Sequence, residues 1–213
     1  GKTVAFEWQG DIWTAPTSGG RASRLTTHPA LDSGAAFSPD GNQIAFNSER
    51  EDFKLLYSMP ASGGEPKQLT FHTDGSDLRE WTPDGKGLLV GLGRDYSWMR
   101  ESRAGRLAII DANERKAESL LFDDYAFDGV ISPDGQKVLF MREGSESWWR
   151  QGFKGSRAGQ IWLFNRADGS FKQVISDEKE NRWPLWKPDG KGFYFVRNGN
   201  VGQHDLASGK HVA

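Results

Sequence analysis

The sequence contains no cysteine, so disulfide bonds and thiolate metal sites are excluded. It also has no apolar run of the roughly 18 residues that a membrane-spanning helix needs. The opening residues, GKTVAFEWQGDIW, lack the long apolar segment of a signal peptide. The chain shows no targeting segment, and these features leave its compartment, cytoplasmic or periplasmic, open.

Neither sign of charge is in excess. The chain carries 27 Lys and Arg against 29 Asp and Glu, for a net charge of −2. Proteins that bind nucleic acid through its phosphates present a basic surface, so this balance argues against a nucleic-acid partner. No group of His, Asp and Glu has metal-ligand spacing, and no phosphate-binding glycine motif is complete. We therefore predict neither a metal nor a cofactor.

A Pro-Asp-Gly string recurs four times between an apolar residue and a short apolar run. The copies are FSPDGNQIAF at 37–46, WTPDGKGLLV at 81–90, ISPDGQKVLF at 131–140 and WKPDGKGFYF at 186–195. Successive prolines lie 44, 50 and 55 residues apart. A period in the forties is typical of four-stranded propeller blades, and its growth along the chain indicates insertions.

Each repeat contains four short strand patterns, and Pro-Asp-Gly forms a tight turn between the first two. Proline presets φ at the first central position of such a turn, and glycine accepts a positive φ. Stacking these sheets radially buries both of their faces. We predict an all-β fold, a β-propeller of about five four-stranded antiparallel blades. The blades are placed at residues 1–26, 33–70, 77–121, 127–175 and 182–213.

Residues 1–26 supply only three strand patterns, so the first blade is expected to lack its innermost strand. This gap favours a segment of a larger propeller, closed by further sequence or by another copy. A closed ring of five blades is the alternative.

The strings FSPDGNQIAF, DIWTAPTSGG and SRLT together resemble the TolB-type β-propeller repeat over nearly the whole chain. Residues 125–186 are more closely similar to the N-terminal propeller of tricorn-type serine peptidases. That resemblance implies a propeller that filters or guides peptides and a parent chain with a second propeller and a protease core. No segment here matches the core, so no catalytic residue is assigned and enzyme status stays open.

Local patterns give no catalytic set. His28 and His72 occupy equivalent repeat positions, which places them on neighbouring blades. No G-x-S-x-G string occurs. The turn aspartates are interpreted as hydrogen-bonding their local backbone.

Two insertions between second and third strands are the most distinctive feature. They are expected on the face opposite the Pro-Asp-Gly turns, with more basic than acidic side chains in the second. Aromatic and Arg side chains are prominent among the residues that carry binding energy at interfaces, so both insertions are candidate binding loops. A peptide carboxylate or an acidic patch on a protein partner would suit the basic second insertion. The alternative is that the tryptophans pack the loops onto the blades or against a neighbouring domain. The predicted ligand-binding residues are Tyr96, Trp98, Arg100, Arg103, Trp148, Trp149, Arg150, Lys154 and Arg157.

The innermost strands would line a central channel, and polar residues near their starts would sit at its mouth. These residues are Asp32, Asp77, Asp128 and Arg182. They are interpreted as solvated lining or as ligand contacts.

Four functions stay open. The first is a non-catalytic propeller of a tricorn-like peptidase that binds or gates peptides. The second is a TolB-like scaffold for a protein partner. The third is a propeller domain of a prolyl-oligopeptidase-like hydrolase, which would require a downstream α/β region with a nucleophile elbow. The fourth, a free-standing enzyme, is the weakest, because no acid–base set converges at equivalent repeat positions.

Overall fold

The computed structural model describes residues 1–93, 105–144, 158–175, 177 and 179–212. In this part of the chain every regular element is a β-strand, and no helix is long and apolar enough to cross a membrane. The chain divides into two compact units. One comprises residues 1–94 and 108–121, and the other comprises residues 95–107 and 122–213.

The strands of the described residues form five antiparallel meanders, in which consecutive strands are neighbours. The first sheet contains β1 (Thr3–Trp8), β2 (Asp11–Pro16) and β3 (Ser23–Arg24). The second contains β4 (Asp32–Phe37), β5 (Gln43–Ser48), β6 (Leu55–Pro60) and β7 (Lys67–Gln68). The third contains β8 (Asp77–Trp81), β9 (Gly87–Leu92), β10 (Arg106–Asp111) and β11 (Ser119–Leu120).

The fourth sheet contains β12 (Phe127–Ile131), β13 (Lys137–Arg142), β14 (Gln160–Asn165) and β15 (Phe171–Ile175). The fifth contains β16 (Asn181–Trp186), β17 (Gly192–Arg197), β18 (Asn200–Asp205) and β19 (His211–Val212). The predicted all-β class and four-stranded antiparallel sheets are confirmed, as is the missing strand of the first sheet.

Each Pro-Asp-Gly turn joins the first and second strands of its sheet, and three of the four turns share one hydrogen-bond pattern. The hydroxyl before the proline donates to the aspartate, which also accepts a backbone N–H two residues further on. In the first turn the Ser38 hydroxyl lies 2.6 Å from Asp40 Oδ1, and the Asn42 nitrogen lies 3.0 Å from it. The same bonds occur around Asp84 and Asp134.

The hydroxyl bond lowers the pKa of these three aspartates below its ordinary value. In the fourth turn Lys187 replaces the hydroxyl, and Asp189 keeps only the backbone bond from Lys191. The turn therefore tolerates the loss of the hydroxyl but keeps its aspartate.

Every first strand carries a β-bulge partway along its length. In each of the four first–second strand pairs the register shifts by one residue. In three of them the residue five places before the turn proline has a positive φ. This residue is Gly34 at 63°, Asp128 at 49° or Trp183 at 52°. Because non-glycine residues rarely adopt this conformation, the surrounding contacts must hold the bulge in place.

Some of those contacts come from the preceding sheet. The bulge N–H of Gly34 lies 2.5 Å from Glu7 Oε1, and that of Leu78 lies 3.1 Å from Asn47 Oδ1. In the second unit the Trp183 N–H lies 3.2 Å from Met141 Sδ. The acceptors stand on β1, β5 and β13 of the sheet before, so the bulge ties neighbouring sheets together.

The approach to each first strand makes another tie of this kind. There a backbone N–H donates to the carbonyl of the residue just before β2, β6, β10 or β14 of the preceding sheet. A Cβ added to Gly159 would lie 2.5 Å from Asn181 O, so the chains approach closely at this point. The donor–acceptor pairs are Asp32–Gly10, Ser76–Lys54, Ala126–Gly105 and Asn181–Gly159, at 2.8, 2.9, 2.9 and 3.3 Å.

Tryptophan makes a third tie at the end of two first strands. Trp81 Nε1 donates to Ala36 O at 2.9 Å, and Trp186 Nε1 donates to Val130 O at 3.0 Å. Both rings are buried. Each indole therefore fills the space between two sheets and also satisfies a backbone carbonyl of the earlier one.

The hydrophobic cores lie between neighbouring sheets. In the first unit Ile12 of the first sheet packs with Ile44 and Phe46 of the second. On the opposite face of β5, Ala45 belongs to the cluster that holds Leu88 and Val90 of the third. In the second unit the fourth and fifth sheets share a cluster of Leu139, Ile161, Ile175, Trp186, Phe193 and Phe195.

We expect Trp186→Ala to reduce the free energy of unfolding by about 3–5 kcal/mol, because it empties a buried aromatic site. Trp186→Phe should cost about 1–2 kcal/mol, because the ring stays but Val130 O loses its donor. Urea unfolding measures both. Trp13→Phe is the matched control, since the indole bond of Trp13 to Trp8 O is exposed and water can replace it. A Trp186→Phe cost no larger than that of the control would contradict the role of the hydrogen bond.

Candidate functional site

All nine insertion residues predicted to bind a ligand lie outside the described residues. They are Tyr96, Trp98, Arg100, Arg103, Trp148, Trp149, Arg150, Lys154 and Arg157. The described chain stops at Gly93 and Gly144 before the two insertions and resumes at Gly105 and Ala158.

These four residues lie at the strand ends away from the Pro-Asp-Gly turns. In the third sheet, for example, Trp81 beside the turn pairs with Leu88, whereas Asp77 pairs with Gly91 near the first insertion. We call this end of the sheets the insertion end. Its described residues precede and follow the two insertions, and we call those beside each insertion the base of that insertion.

A buried ion pair lies at the base of the second insertion. Glu180 accepts the Gly159 N–H at 3.1 Å, and its other oxygen lies 2.5 Å from Arg182. Both side chains are largely excluded from water. Arg182 was predicted to lie at the channel mouth. Its guanidinium pairs with Glu180, which also accepts a hydrogen bond from Gly159, the residue just before β14.

A second polar network adjoins it on the fifth sheet. Asn181 donates to Asp177 at 2.8 Å and accepts from Arg197 Nε at 2.9 Å. Arg197 also lies 2.5 Å from Asp177, and His211 lies 3.6 Å from the same carboxylate. Charge-assisted bonds of this kind fix side chains in one geometry, so Asp177 and Asn181 are held against Arg197 of the fifth sheet.

The fourth sheet repeats this arrangement on the other flank of the second insertion. Arg142 is paired with Asp124, and its guanidinium lies 4.8 Å from the Trp162 ring centroid and 5.0 Å from that of Tyr125. The Tyr125 hydroxyl lies 2.9 Å from Glu143 Oε1. Arg142, the last residue of β13, and Glu143, which follows it, therefore both have partners.

Asp32, another predicted mouth residue, has no exposed surface. Its Oδ2 lies 2.9 Å from Arg50, whose guanidinium lies 5.1 Å from the Tyr57 ring centroid. The carboxylate thus stabilises a buried cation and is not presented to a ligand.

Asp77 has a different environment, with 44% of its side chain exposed. It lies 3.0 Å from Lys54 and 3.5 Å from Arg79. It also lines a cleft of about 340 Å³ together with Phe53, Asp74 and Gly93. Asp77 therefore both borders a cleft and lies near the first insertion.

Asp128 is half-buried and occupies the bulge of β12 with its positive φ. Its placement reflects a backbone requirement that other first strands meet with Gly34 or Trp183. The prediction that it contacts a ligand stays a prediction.

A larger groove, of about 710 Å³, lies on the opposite side between the turns of the second and third sheets. It is lined by Asp40, Asp84, Trp81 and Lys67, and Lys67 donates to Asn113 O at 2.9 Å. The sequence analysis did not predict it, because it forms between two turns that each have a local structural role.

The histidines have structural roles. His28 and His72 each accept a backbone N–H two residues further on, from Ala30 at 3.1 Å and Asp74 at 3.2 Å. Within the described ranges no group of three or more His, Asp or Glu side chains could hold a metal ion.

His204 is buried against Phe193, with ring centroids 4.9 Å apart, and stacks on His211 at 5.9 Å. Burial is the main cause that lowers the pKa of His204, and the neighbouring His211 and Lys172 lower it further, whereas Asp205 acts in the opposite direction.

Antiparallel sheets of one repeat that pack face to face are the architecture of a β-propeller, and the solved structures most similar to this chain have that fold. The chain belongs to the tricorn protease N-terminal beta propeller domain family, whose profile matches residues 1–204.

The curated proteins that are similar in sequence include two peptidases. Tricorn protease homolog 1 of Streptomyces coelicolor is 30% identical over 196 residues, which cover 91% of this chain and 18% of that protein. The uncharacterized peptidase YuxL of Bacillus subtilis is 27% identical over 204 residues, which cover 94% of this chain and 27% of that protein. The chain therefore spans less than a third of either relative.

Solved structures show the same fold. A TolB protein from Agrobacterium tumefaciens has a TM-score of 0.78 at 21% identity, with 100% of this chain and 76% of that chain covered. The tricorn protease has a TM-score of 0.76 at 21% identity, with 99% of this chain and 21% of that chain covered. The predicted likeness to TolB-type and tricorn N-terminal propellers is confirmed.

We expect Asp32→Asn to reduce the free energy of unfolding by about 3 kcal/mol, because it leaves Arg50 largely buried without its counter-ion. Asp77→Asn, near the start of the next first strand, should cost less than about 1 kcal/mol, because its ion pairs are exposed. Urea unfolding of both variants measures the difference. Equal costs would show that burial does not decide the value of these pairs.

We expect the free energy of unfolding to fall at acidic pH because of His204. Its folded pKa is lowered, so the unfolded chain binds the proton more readily, and stability falls as pH drops below about 6.5. His204→Phe should keep the stacking on Phe193 and flatten this decline between pH 7 and pH 5, as measured by thermal unfolding. His28→Gln is the control, because His28 is exposed. An unchanged pH dependence in His204→Phe would contradict this role.

Proposed function

We propose that this chain is a non-catalytic accessory propeller of a tricorn-like serine peptidase and that its insertion end binds or gates peptides. The observation that carries the proposal is the family match over residues 1–204. The five sheets would be blades, at residues 1–26, 33–70, 77–121, 127–175 and 182–213, of a larger propeller. The peptidase chemistry would belong to other parts of the parent polypeptide.

The base of the second insertion supports this proposal. Glu180, Asp177 and Asp124 each neutralise an arginine of the base, so the base itself has little net charge to offer. The cations available to a ligand would be those of the insertion, which include Arg150 and Lys154. A peptide carboxylate or an acidic side chain would complement them, with the neighbouring tryptophans providing apolar contact.

We expect the double variant Trp149→Ala/Arg150→Ala to weaken peptide binding by roughly 30-fold, the loss typical of removing an interface hot spot worth about 2 kcal/mol. The probe is a fluorescein-labelled pool of random peptides with a free C-terminal carboxylate, and fluorescence anisotropy gives the affinity. The unfolding midpoint should stay unchanged, because the blades do not need the insertion. An amidated pool should bind the unmodified chain more weakly.

Lys86→Ala is the matched control, since it removes a cation from the exposed side of a Pro-Asp-Gly turn. Binding that is unchanged in the double variant, or equal binding with a large loss of stability, would show that the insertion is structural.

The TolB-like scaffold is the alternative, in which the same face docks a protein partner. Hydrolysis of labelled peptides by the purified parent polypeptide separates the two functions. A parent without peptidase activity and without a protease core would favour the scaffold.

A further inference from the structure

The groove between the Pro-Asp-Gly turns of the second and third sheets is lined by small residues at two positions that face the junction. Ser58 stands on β6 of the second sheet, and Ala112 directly follows β10 of the third. The same two positions can be compared in the fourth and fifth sheets, which carry the same repeat.

Leu163 of the fourth sheet occupies the position of Ser58. Leu163 pairs with Leu139 as Ser58 pairs with Ala45, and both partners are the third residue of their strand. Leu163 packs against the apolar cluster that the fourth and fifth sheets share. Because protein interiors are close-packed, this leucine fills space that a serine leaves open.

Leu206 of the fifth sheet occupies the position of Ala112. The Leu206 N–H donates at 3.0 Å to the carbonyl of Lys191, the residue after a Pro-Asp-Gly turn, and Ala112 makes the same 3.0 Å bond to Lys86. Leu206 also packs against the shared cluster. Two leucines therefore complete the packing at the positions where the second and third sheets leave a groove of about 710 Å³.

The hydroxyl of Ser58 faces this groove. Side chains alternate along a strand, and Leu56, two residues earlier on β6, belongs to the cluster packed against the third sheet. Ser58 is 7% exposed, and its hydroxyl has no hydrogen-bond partner among the described residues. Buried hydroxyl groups normally have a partner, so the floor of the groove offers a hydrogen bond to a ligand.

The rim of the groove carries two carboxylates. Asp40 and Asp84 line it with one cation, Lys67, whose ammonium group donates to Asn113 O at 2.9 Å. The turn hydroxyls lower the pKa of both aspartates, so both are charged at neutral pH. Asp84 accepts its turn bonds on Oδ1, which leaves Oδ2 without a partner among the described residues. The groove therefore suits a ligand that is cationic and has several N–H donors.

We propose that this groove binds an arginine side chain on an extended segment of a protein partner. A guanidinium has five N–H donors and a flat face, so it can serve Asp84 Oδ2 and the Ser58 hydroxyl while packing beside the rings of Pro39 and Pro83.

The size of the groove favours a polypeptide over a single small cation. Its volume lies in the range of sites that enclose a whole drug-sized ligand, so backbone on both sides of the arginine also fits. The exposed amides of Gln43 and Asn113 line the groove and can bond that backbone. This site lies on the opposite side from the insertion end and does not depend on the function proposed there.

The test uses the full chain and the acetylated, amidated peptide GSRSG, whose one charge is its arginine. Backbone amide NMR shifts report binding, and we expect them to change at residues that line the groove. Asp84→Asn should weaken binding about tenfold, because asparagine keeps an oxygen for the turn bonds but loses the charge. Asp134→Asn is the matched control, since its turn has the same hydrogen bonds but does not line the groove. Equal weakening by both variants, or no binding to the unmodified chain, would overturn the proposal.

A second variant tests the groove itself. Ser58→Leu/Ala112→Leu copies the residues found between the fourth and fifth sheets, so we expect it to fold and to lose peptide binding. A folded double variant that binds as tightly as the unmodified chain would refute the proposal, and if the double variant fails to fold, the comparison of Asp84→Asn with Asp134→Asn decides.

Two further ligands identify what the groove recognises. A peptide with citrulline in place of arginine should bind about tenfold more weakly, because it has the same shape without the charge. Equal affinity for the two peptides would contradict recognition of a guanidinium. Agmatine carries the guanidinium without a peptide backbone. If agmatine binds as tightly as the arginine peptide, the groove takes a small cation and the proposal of a polypeptide ligand is wrong.

Discussion

Covering both faces of each sheet is the constraint on which this structure depends. A four-stranded sheet of this repeat has apolar side chains on both faces of its second strand, as β5 shows with Phe46 on one face and Ala45 on the other. One such sheet alone in water would leave both of those faces exposed. Neighbouring sheets cover each other's apolar faces, and the hydrogen bonds between the sheets fix the distance between them.

Three kinds of hydrogen bond recur at these junctions, and each serves a different part of the first strand. A backbone bond fixes where the strand begins, a side chain of the preceding sheet holds its bulge, and in two sheets an indole closes its end. In β16 the first two act together, which explains why backbone as unfavourable as the positive φ of Trp183 persists. The bulge is a component of the junction, because it turns a backbone N–H toward the sheet before it.

Much of this architecture could be predicted from the sequence, because turns and alternating strands depend on neighbouring residues. The Pro-Asp-Gly copies located the hairpins, and the missing strand pattern before Thr3 predicted the incomplete first sheet. The bulges could not be predicted, since Gly34, Asp128 and Trp183 share no chemistry that indicates a positive φ. The buried ion pair of Asp32 could not be predicted either, because its partner Arg50 lies 18 residues away and the burial of both side chains depends on packing. The insertion residues have no repeat equivalent, so periodicity locates the loops and says nothing of their conformation.

The junction bonds have a consequence for how such a protein can change over evolutionary time. Each bond joins a sheet to the one immediately before it, and the donors and acceptors recur at the same repeat positions. A gene duplication that inserted one whole repeat would therefore bring a complete set of donors and acceptors, and none of the existing junctions would lose a partner. A deletion of half a repeat would leave both donors and acceptors at that junction without hydrogen-bond partners. Selection should accordingly add and remove these modules only as whole units, and should vary freely the loops that take no part in the bonding between them.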